Sequence, residues 1–266
     1  MAVAIVIPAR FASTRYPGKP LVPLAGADGD KKPLIIRSWM AASSVRGVDR
    51  VVVATDDQRI ADVVQKAGGD ALMTPTSCRN GTERCAAVLD QLGDDYDLII
   101  NFQGDAPLTP AFIVEKLIDI MKDSPEYGIA TPAVTTSPTV RFQLFDDQKQ
   151  GLVGGTTVVR NKKGEALYFS KSVIPHLSKA DRADPDLPVF LHIGLYAYRP
   201  DTLRQYASRA PSKLELIEGL EQLRFLDEGI AVKVPLIDKP DLELWELNNP
   251  VDRDLIEATL MARGIK

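Results

Sequence analysis

A short run of apolar residues, Ala2–Ile7, stops abruptly at Pro8, and similar runs recur at Arg50–Ala54 and Asp97–Phe102. Apolar runs of this length without polar alternation read as strands buried on both faces. Between them, amphipathic patterns predict helices over Pro33–Ser44, Gln58–Ala67, Gly81–Leu92 and Pro110–Lys122, with another short strand at Ala71–Met73. Strands joined by helical crossovers of about a dozen residues or more pair in parallel, and the helices then cover both faces of the sheet. The expected fold class is therefore α/β with a mostly parallel central sheet. Such sheets hold their ligands beyond the carboxyl ends of the strands, so the loops after Ile7, Ala54 and Phe102 are where chemistry is expected.

The pattern changes after Tyr127. Gly128–Val134, Leu152–Arg160, Glu165–Ser170 and Leu191–Arg199 read as strands with no long helix between them, and the polar turn Asn161–Gly164 predicts a hairpin over Thr156–Ser170. Helices are predicted again over Pro200–Ser208 and Leu214–Leu226, a strand over Ile230–Leu236, and a last helix with Pro250 at its first position. With no internal repeat and no low-complexity linker, one domain over 1–266 is expected, carrying a β-rich arm at about 135–199.

Composition narrows the partners. Acidic residues outnumber basic ones, 36 to 32, for a net charge of −4, and no aromatic–basic interleaving is present, so a nucleic acid is not an expected partner. No apolar stretch reaches the roughly 18 residues that span a bilayer, and the first residues lack the pattern of a secretory leader. The two cysteines, Cys78 and Cys85, and two histidines make neither a disulfide framework nor a zinc cage. A cytoplasmic protein is expected, in which any metal is a hard cation held by carboxylates.

Two clusters can carry chemistry. The first follows the opening strand, Ile7-Pro8-Ala9-Arg10-Phe11-Ala12-Ser13-Thr14-Arg15-Tyr16-Pro17-Gly18-Lys19-Pro20-Leu21. Its cations, Arg10, Arg15 and Lys19, suit the clustered oxygens of a polyphosphate, with Ser13 and loop amides as further donors; a solvated basic loop is the competing account. The second is Asn101-Phe102-Gln103-Gly104-Asp105. A carboxylate in such a place suits Mg²⁺, which takes one or two protein carboxylates and completes its shell with substrate phosphate oxygens. A cap for the following helix explains Asp105 equally well.

These segments, taken in order with Val53-Ala54-Thr55-Asp56, Asn80-Gly81-Thr82-Glu83-Arg84, Ala166-Leu167-Tyr168-Phe169-Ser170, His192-Ile193-Gly194-Leu195-Tyr196 and Leu220-Glu221-Gln222-Leu223-Arg224, resemble the sugar-acid cytidylyltransferases, particularly the 3-deoxy-manno-octulosonate (Kdo) cytidylyltransferase family. The likeness runs along nearly the whole chain. It implies a Rossmann-like nucleotidyltransferase fold (a GT-A-like three-layer sandwich), a homodimer, and transfer of CMP from CTP to the anomeric hydroxyl of a sugar acid for lipopolysaccharide synthesis.

Carried over by position, the resemblance implies CTP contacts from Ala9, Arg10, Ser13, Arg15, Lys19, Gly81, Thr82, Arg84 and Gln103, with Arg10, Arg15, Lys19 and Asp105 as the catalytic set. It implies sugar contacts from Gln103, His192, Tyr196, Glu218, Glu221 and Gln222, and Mg²⁺ held by Asp105 and the residue at Asn248. From the residues alone, His192 in an apolar strand also fits a core histidine, and Glu218 and Glu221 fit a solvated helix flank. Asp56 reads as a helix cap.

The chain departs from the family pattern in places. The family's second metal-binding aspartate falls on Asn248, its Gln-Gly-Asp-Glu-Pro loses the Glu to Ala106, and a strand lysine becomes Thr157. These changes imply either an altered acceptor, such as a relative of Kdo, or impaired catalysis. A cytidylyltransferase for another sugar acid or sugar phosphate, a nucleotide-binding protein without transferase activity, and a glycosyltransferase are the rival readings. The cationic loop weighs against the last, since a nucleotide-sugar donor has no triphosphate to grip.

Overall fold

The structure, a computed structural model, describes residues 1–12, 16–178, 181, 184, 187, 189–237 and 246–266. In chain order its elements are β1 (Val3–Ala9), β2 (Pro23–Ala25), β3 (Lys31–Pro33), α1 (Leu34–Ser43), β4 (Arg50–Thr55), α2 (Gln58–Lys66), β5 (Asp70–Met73), α3 (Gly81–Ala86), α4 (Leu89–Leu92), β6 (Leu98–Phe102) and α5 (Ala111–Asp123). There follow β7 (Ile129–Ala130), β8 (Ala133–Thr135), α6 (Pro138–Lys149), β9 (Thr157–Arg160), β10 (Ala166–Ser170), β11 (Phe190–His192), β12 (Leu195–Tyr198), α7 (Pro200–Ser208), α8 (Lys213–Glu218), α9 (Leu223–Asp227), β13 (Val232–Lys233) and α10 (Asp252–Ala262).

The chain divides into two compact units, the first formed by Met1–Ile118, Ala197–Ala207 and Pro240–Lys266, the second by Asp119–Tyr196 and Ser208–Lys239. In the first unit the strands lie in the order β6–β1–β4–β5, all in parallel. The register sets Ala9 opposite Thr55 and Val6 opposite Asn101, so β1, β4 and β6 end at one edge of the sheet. Every residue of Val3–Ile7 and Leu98–Phe102 is almost fully buried, which is why both runs are apolar except at Asn101. Each buried Val, Leu or Ile contributes about 1.5–3 kcal/mol of desolvation. A second cluster, Leu24, Leu34, Leu108, Leu247, Ile256 and Leu260, fastens α10 to the β2–β3 hairpin, where the Glu257 carboxylate accepts the Ala25 N–H at 2.9 Å.

The second unit is built on an antiparallel sheet in the order β10–β9–β11–β8, with β13 and β7 pairing in parallel beside each other. The expected hairpin is present as β9 and β10, turned by Asn161, whose side chain accepts the N–H groups of Lys163 and Glu165 at 2.9 and 3.0 Å.

The expected strands Gly128–Val134 and Leu191–Arg199 are each two, β7 with β8 and β11 with β12, and the β2–β3 hairpin was not expected. Among the helices the structure departs from the sequence expectations in four places. A helix, α6, stands where strands without long helices were expected; Ser137 caps it, and its buried face is Arg141, Leu144 and Phe145. A fully buried arginine, bonded to the Thr136 and Asp184 carbonyls, occupies a position where the helical pattern calls for an apolar residue. The expected helix over Leu214–Leu226 is two, because Gly219 adopts φ 63° as the left-handed stop of α8. Similarly, Gly81–Leu92 breaks into α3 and α4. The last helix begins at Asp252 rather than Pro250; the Asp252 carboxylate accepts the Asn248 and Asn249 N–H groups at 2.8 and 2.6 Å.

Candidate active site

The first unit gathers charge beyond the ends of its parallel strands. After β1 the chain loops and closes where the Gly18 N–H donates to the Phe11 carbonyl at 3.0 Å. The Phe11 ring lies beneath the Arg59 guanidinium at 3.5 Å, and Arg59 pairs with Asp57, the N-cap of α2, at 2.7 Å. That hydrogen bond holds the Asp57 carboxyl below its usual range. Asp57, not Asp56, is thus the cap. Lys19 opens a short 3₁₀ turn after Gly18, and its Nζ reaches Asp105 Oδ2 at 2.5 Å. Both side chains are only partly buried, so the pair stands at the surface of the site with Asp105 Oδ1 bonded to no described residue.

Gly104 makes that meeting possible. A Cβ there would lie 2.7 Å from the Pro8 carbonyl, so only glycine allows the loop after β6 to run against the end of β1. Ser38 Oγ then donates to the Gly104 carbonyl at 2.9 Å. On the other side of Asp105, its carbonyl accepts the Leu247 N–H at 3.0 Å, which brings the segment carrying Asn248 to the same loop. Asp105 is therefore an ion-pair partner beyond a strand end rather than a helix cap.

The remaining residues of this cluster make defined contacts. Arg84 is buried and donates to Asp56 at 2.9 Å and to Thr74 Oγ1. The Thr82 hydroxyl meets that of Tyr198 at 2.8 Å, and Asn80, the N-cap of α3, accepts the Glu83 N–H at 2.8 Å while its amide donates to the Tyr206 hydroxyl at 2.8 Å. Gln103 Nε2 donates to Asn101 Oδ1 at 3.3 Å. Asn101 is fully buried and its Nδ2 has no partner among the described residues; a polar residue within an apolar strand was the sequence signal for it. Ala9 ends β1 and Arg10 beyond it is exposed, whereas Ser13 and Arg15 lie outside the described residues.

In the second unit the predicted sugar residues fall into two groups. His192, on β11, packs edge-on to Phe169 with ring centroids 5.2 Å apart and tilted against Tyr196 at 5.5 Å. Burial holds its imidazole down at about 3, so it is neutral at physiological pH. The Tyr196 hydroxyl donates to Gln222 Oε1 at 3.1 Å, and the buried Gln222 Nε2 has no partner among the described residues. Glu218 is engaged otherwise: it accepts from Ser170 Oγ at 2.8 Å and the Lys171 N–H at 3.0 Å. Glu221 lies in the α8–α9 turn, where its carbonyl accepts the Arg224 N–H at 3.3 Å. Beneath that turn Arg224 grips Glu215 with two 2.6 Å hydrogen bonds, and Glu215 also closes a capping box with Ser212. Thr157, where the family pattern has lysine, is buried and donates to the Ser172 carbonyl at 2.7 Å.

A cytidylyltransferase family model matches residues 4–234. The chain belongs to the cytidylyltransferase family. Among its relatives, the 3-deoxy-manno-octulosonate cytidylyltransferase of Maricaulis maris (strain MCS10) is 46% identical over 264 residues, covering 99% of each chain. The Zea mays protein of the same name is 36% identical over 261 residues, 98% of this chain and 82% of that one. A solved structure of CMP:2-keto-3-deoxy-manno-octonic acid synthetase complexed with CTP is 34% identical and superposes over 100% of both chains with a TM-score of 0.84. A 4-diphosphocytidyl-2C-methyl-D-erythritol synthase from Anaerococcus prevotii DSM 20548, 12% identical, shares the fold with a TM-score of 0.60 over 97% of this chain. This cytidylyltransferase thus has the nucleotidyltransferase fold with its mostly parallel sheet. Among the described residues no group of three or more His, Cys, Asp or Glu side chains could enclose a metal, and no helix is long and apolar enough to cross a membrane.

Proposed function

We propose that this cytidylyltransferase transfers CMP from CTP to the anomeric hydroxyl of Kdo, releasing pyrophosphate, as a step toward lipopolysaccharide. One observation carries the reading: the 2.5 Å Lys19–Asp105 pair, which sets a cation and a carboxylate side by side beyond the ends of parallel strands. A triphosphate that arrives with a metal needs that combination.

In the reaction the anomeric oxygen forms a bond to the α-phosphorus and loses its proton, while the bond from that phosphorus to the bridging oxygen breaks and pyrophosphate departs. Little covalent chemistry falls to the protein; positioning and charge neutralisation supply the rate. Lys19, with Arg10 and Arg15, would neutralise the departing pyrophosphate. Ala9, Ser13, Gly81, Thr82, Arg84 and Gln103 would hold the nucleotide. Arg84 does so indirectly, since its guanidinium is committed to Asp56 and Thr74. His192, Tyr196, Glu221 and Gln222 would take the sugar hydroxyls, with Glu218 securing β10 to α8.

The open Asp105 Oδ1 and the Asn248 carbonyl oxygen fit a hard cation that draws its other ligands from phosphate. Mg²⁺ held there would polarise the α-phosphate. With an amide where a carboxylate would add charge, Asn248 makes this a weaker protein site, dependent on bound CTP.

We also place the residues at about 135–199 as the sugar-binding and dimerisation arm of a single nucleotidyltransferase domain. Leu167, Leu216 and Ile217 in the second unit are 61%, 69% and 81% exposed, apolar side chains suited to contact with a second copy of the chain. A cytoplasmic location suits the cysteines Cys78 and Cys85, neither of which is in a disulfide.

The test is pyrophosphate release with each nucleoside triphosphate against a panel of ulosonic acids. CTP with Kdo is expected to give the highest kcat/KM. A different ulosonic acid winning would support the altered-acceptor reading, which Asn248, Ala106 and Thr157 motivate, and no turnover with any acceptor would sink the enzymatic one.

A further inference from the structure

Thr131, in the turn between β7 and β8, is fully buried, and its hydroxyl has three neighbours: His192 Nε2 at 2.7 Å, the Leu195 carbonyl at 2.7 Å and the Ile193 carbonyl at 3.2 Å. A hydroxyl has a single proton to give. A carbonyl oxygen carries no hydrogen, so a 2.7 Å separation from Thr131 Oγ1 is attractive only with the hydroxyl proton between the two oxygens. That proton is therefore spent on Leu195. The equally short contact with His192 must then be bridged by a hydrogen on the imidazole, which makes His192 the Nε2–H tautomer. Its Nδ1 is left with a lone pair to which no described residue donates.

We propose that Thr131 is a positioning residue that locks His192 in the Nε2–H form, so that Nδ1 offers a fixed acceptor to one hydroxyl of the sugar acid. This rests on the reading of His192 as a sugar residue. Because burial keeps a second proton off the ring at neutral pH, the acceptor does not become a donor in the physiological range. Gln222 has the opposite sense: its Oε1 already accepts from the Tyr196 hydroxyl, and its buried Nε2 hydrogens have no acceptor among the described residues, so it is the amide's donor side that is left to a ligand. His192 and Gln222 thus present one acceptor and one donor whose directions the protein has already set. An analogue whose matching hydroxyl is deoxygenated or methylated leaves the acceptor unpaired, the kind of loss on which polar selectivity rests.

The tautomer is directly observable, since the chain has only two histidines, His176 and His192, and His176→Gln assigns their resonances in long-range ¹H–¹⁵N spectra. The full-length wild-type protein at pH 7 is expected to show His192 protonated at Nε2 and bare at Nδ1; a proton on Nδ1 would overturn the proposal without any variant. Thr131→Val removes the hydroxyl at similar volume. It is expected to yield a tautomer mixture and to raise KM for Kdo about three- to tenfold, the worth of one hydrogen bond, with KM for CTP unchanged. Thr131→Ser should restore both. An unchanged tautomer in Thr131→Val overturns the lock. A changed tautomer with KM for Kdo unmoved in both Thr131→Val and His192→Asn removes His192 from the sugar site, and the functional half of the proposal with it.

Discussion

Both units bury an ion pair, Arg84–Asp56 in the first and Arg224–Glu215 in the second, but the groups they offer to ligands differ. In the first, ionic groups stand partly exposed beyond strand ends: Lys19 against Asp105, Arg59 against Asp57, and Arg10 at the surface. In the second, the groups proposed to meet the sugar, His192, Tyr196 and Gln222, are neutral, with Tyr196 and Gln222 buried, while the ion pair Arg224–Glu215 is buried with 1% and 9% of its side chains exposed. The contrast follows the ligands proposed for each. A triphosphate is bound by charge, which tolerates several geometries and needs some solvent contact to keep desolvation affordable. A sugar is distinguished by the direction of its hydroxyls, and that calls for donors and acceptors whose sense cannot reverse.

The largest effect is expected at Arg224. Arg224→Met leaves the Glu215 carboxylate in the interior without its guanidinium counter-charge and should cost about 3–5 kcal/mol in chemical denaturation. A loss below about 1 kcal/mol would break the contrast, because Arg224–Glu215 would then behave as surface pairs do. Next comes Lys19→Ala, expected to lower kcat/KM by roughly 10²–10³-fold, the loss seen when one preorganised donor is removed, with thermal stability almost unchanged. A fall within about threefold, under 1 kcal/mol, would remove Lys19 from the triphosphate site.

Acid titration sharpens the comparison from the other side. The folded His192 value of about 3 lies below its ordinary 6.5. Between those values the unfolded chain binds a proton that the folded chain refuses. The neutral site is therefore fully tolerated above about pH 6.5 and costs stability as pH falls toward 3, at no more than ~1.4 kcal/mol per pH unit. Denaturation midpoints between pH 7 and pH 4 should fall less steeply in His192→Gln than in wild type; equal slopes would show that the ring is not desolvated. The smallest effect is expected at Asn80, where loss of the α3 cap in Asn80→Ala should cost ~1 kcal/mol. Tyr206 loses its amide donor in the same variant, so a double-mutant cycle with Tyr206→Phe separates the two terms.

Much of this architecture could be read from periodicity. Val3–Ile7 is apolar at every position and Leu98–Phe102 at all but Asn101 because they are buried on both faces, and a one-dimensional pattern reports burial of that kind directly. The reading failed where burial and polarity part company. Arg141 sits on the buried face of α6, so the helix showed no apolar stripe, and the acidic pair Asp56-Asp57 could not reveal which carboxylate caps α2 and which receives Arg84.

Composition and pattern alone determined the α/β class, the loops where ligands would be sought, and the kind of charge those loops carry, since each is a property of residues near one another in the chain. The partners were decided by the tertiary structure. Lys19 meets Asp105 across 86 residues, Arg224 closes on Glu215 only because Gly219 breaks the helix between them, and the proton on His192 depends on a carbonyl that competes for the Thr131 hydroxyl. Each outcome is settled by which donors and acceptors crowd into the same few ångströms, and that competition has no counterpart along the chain.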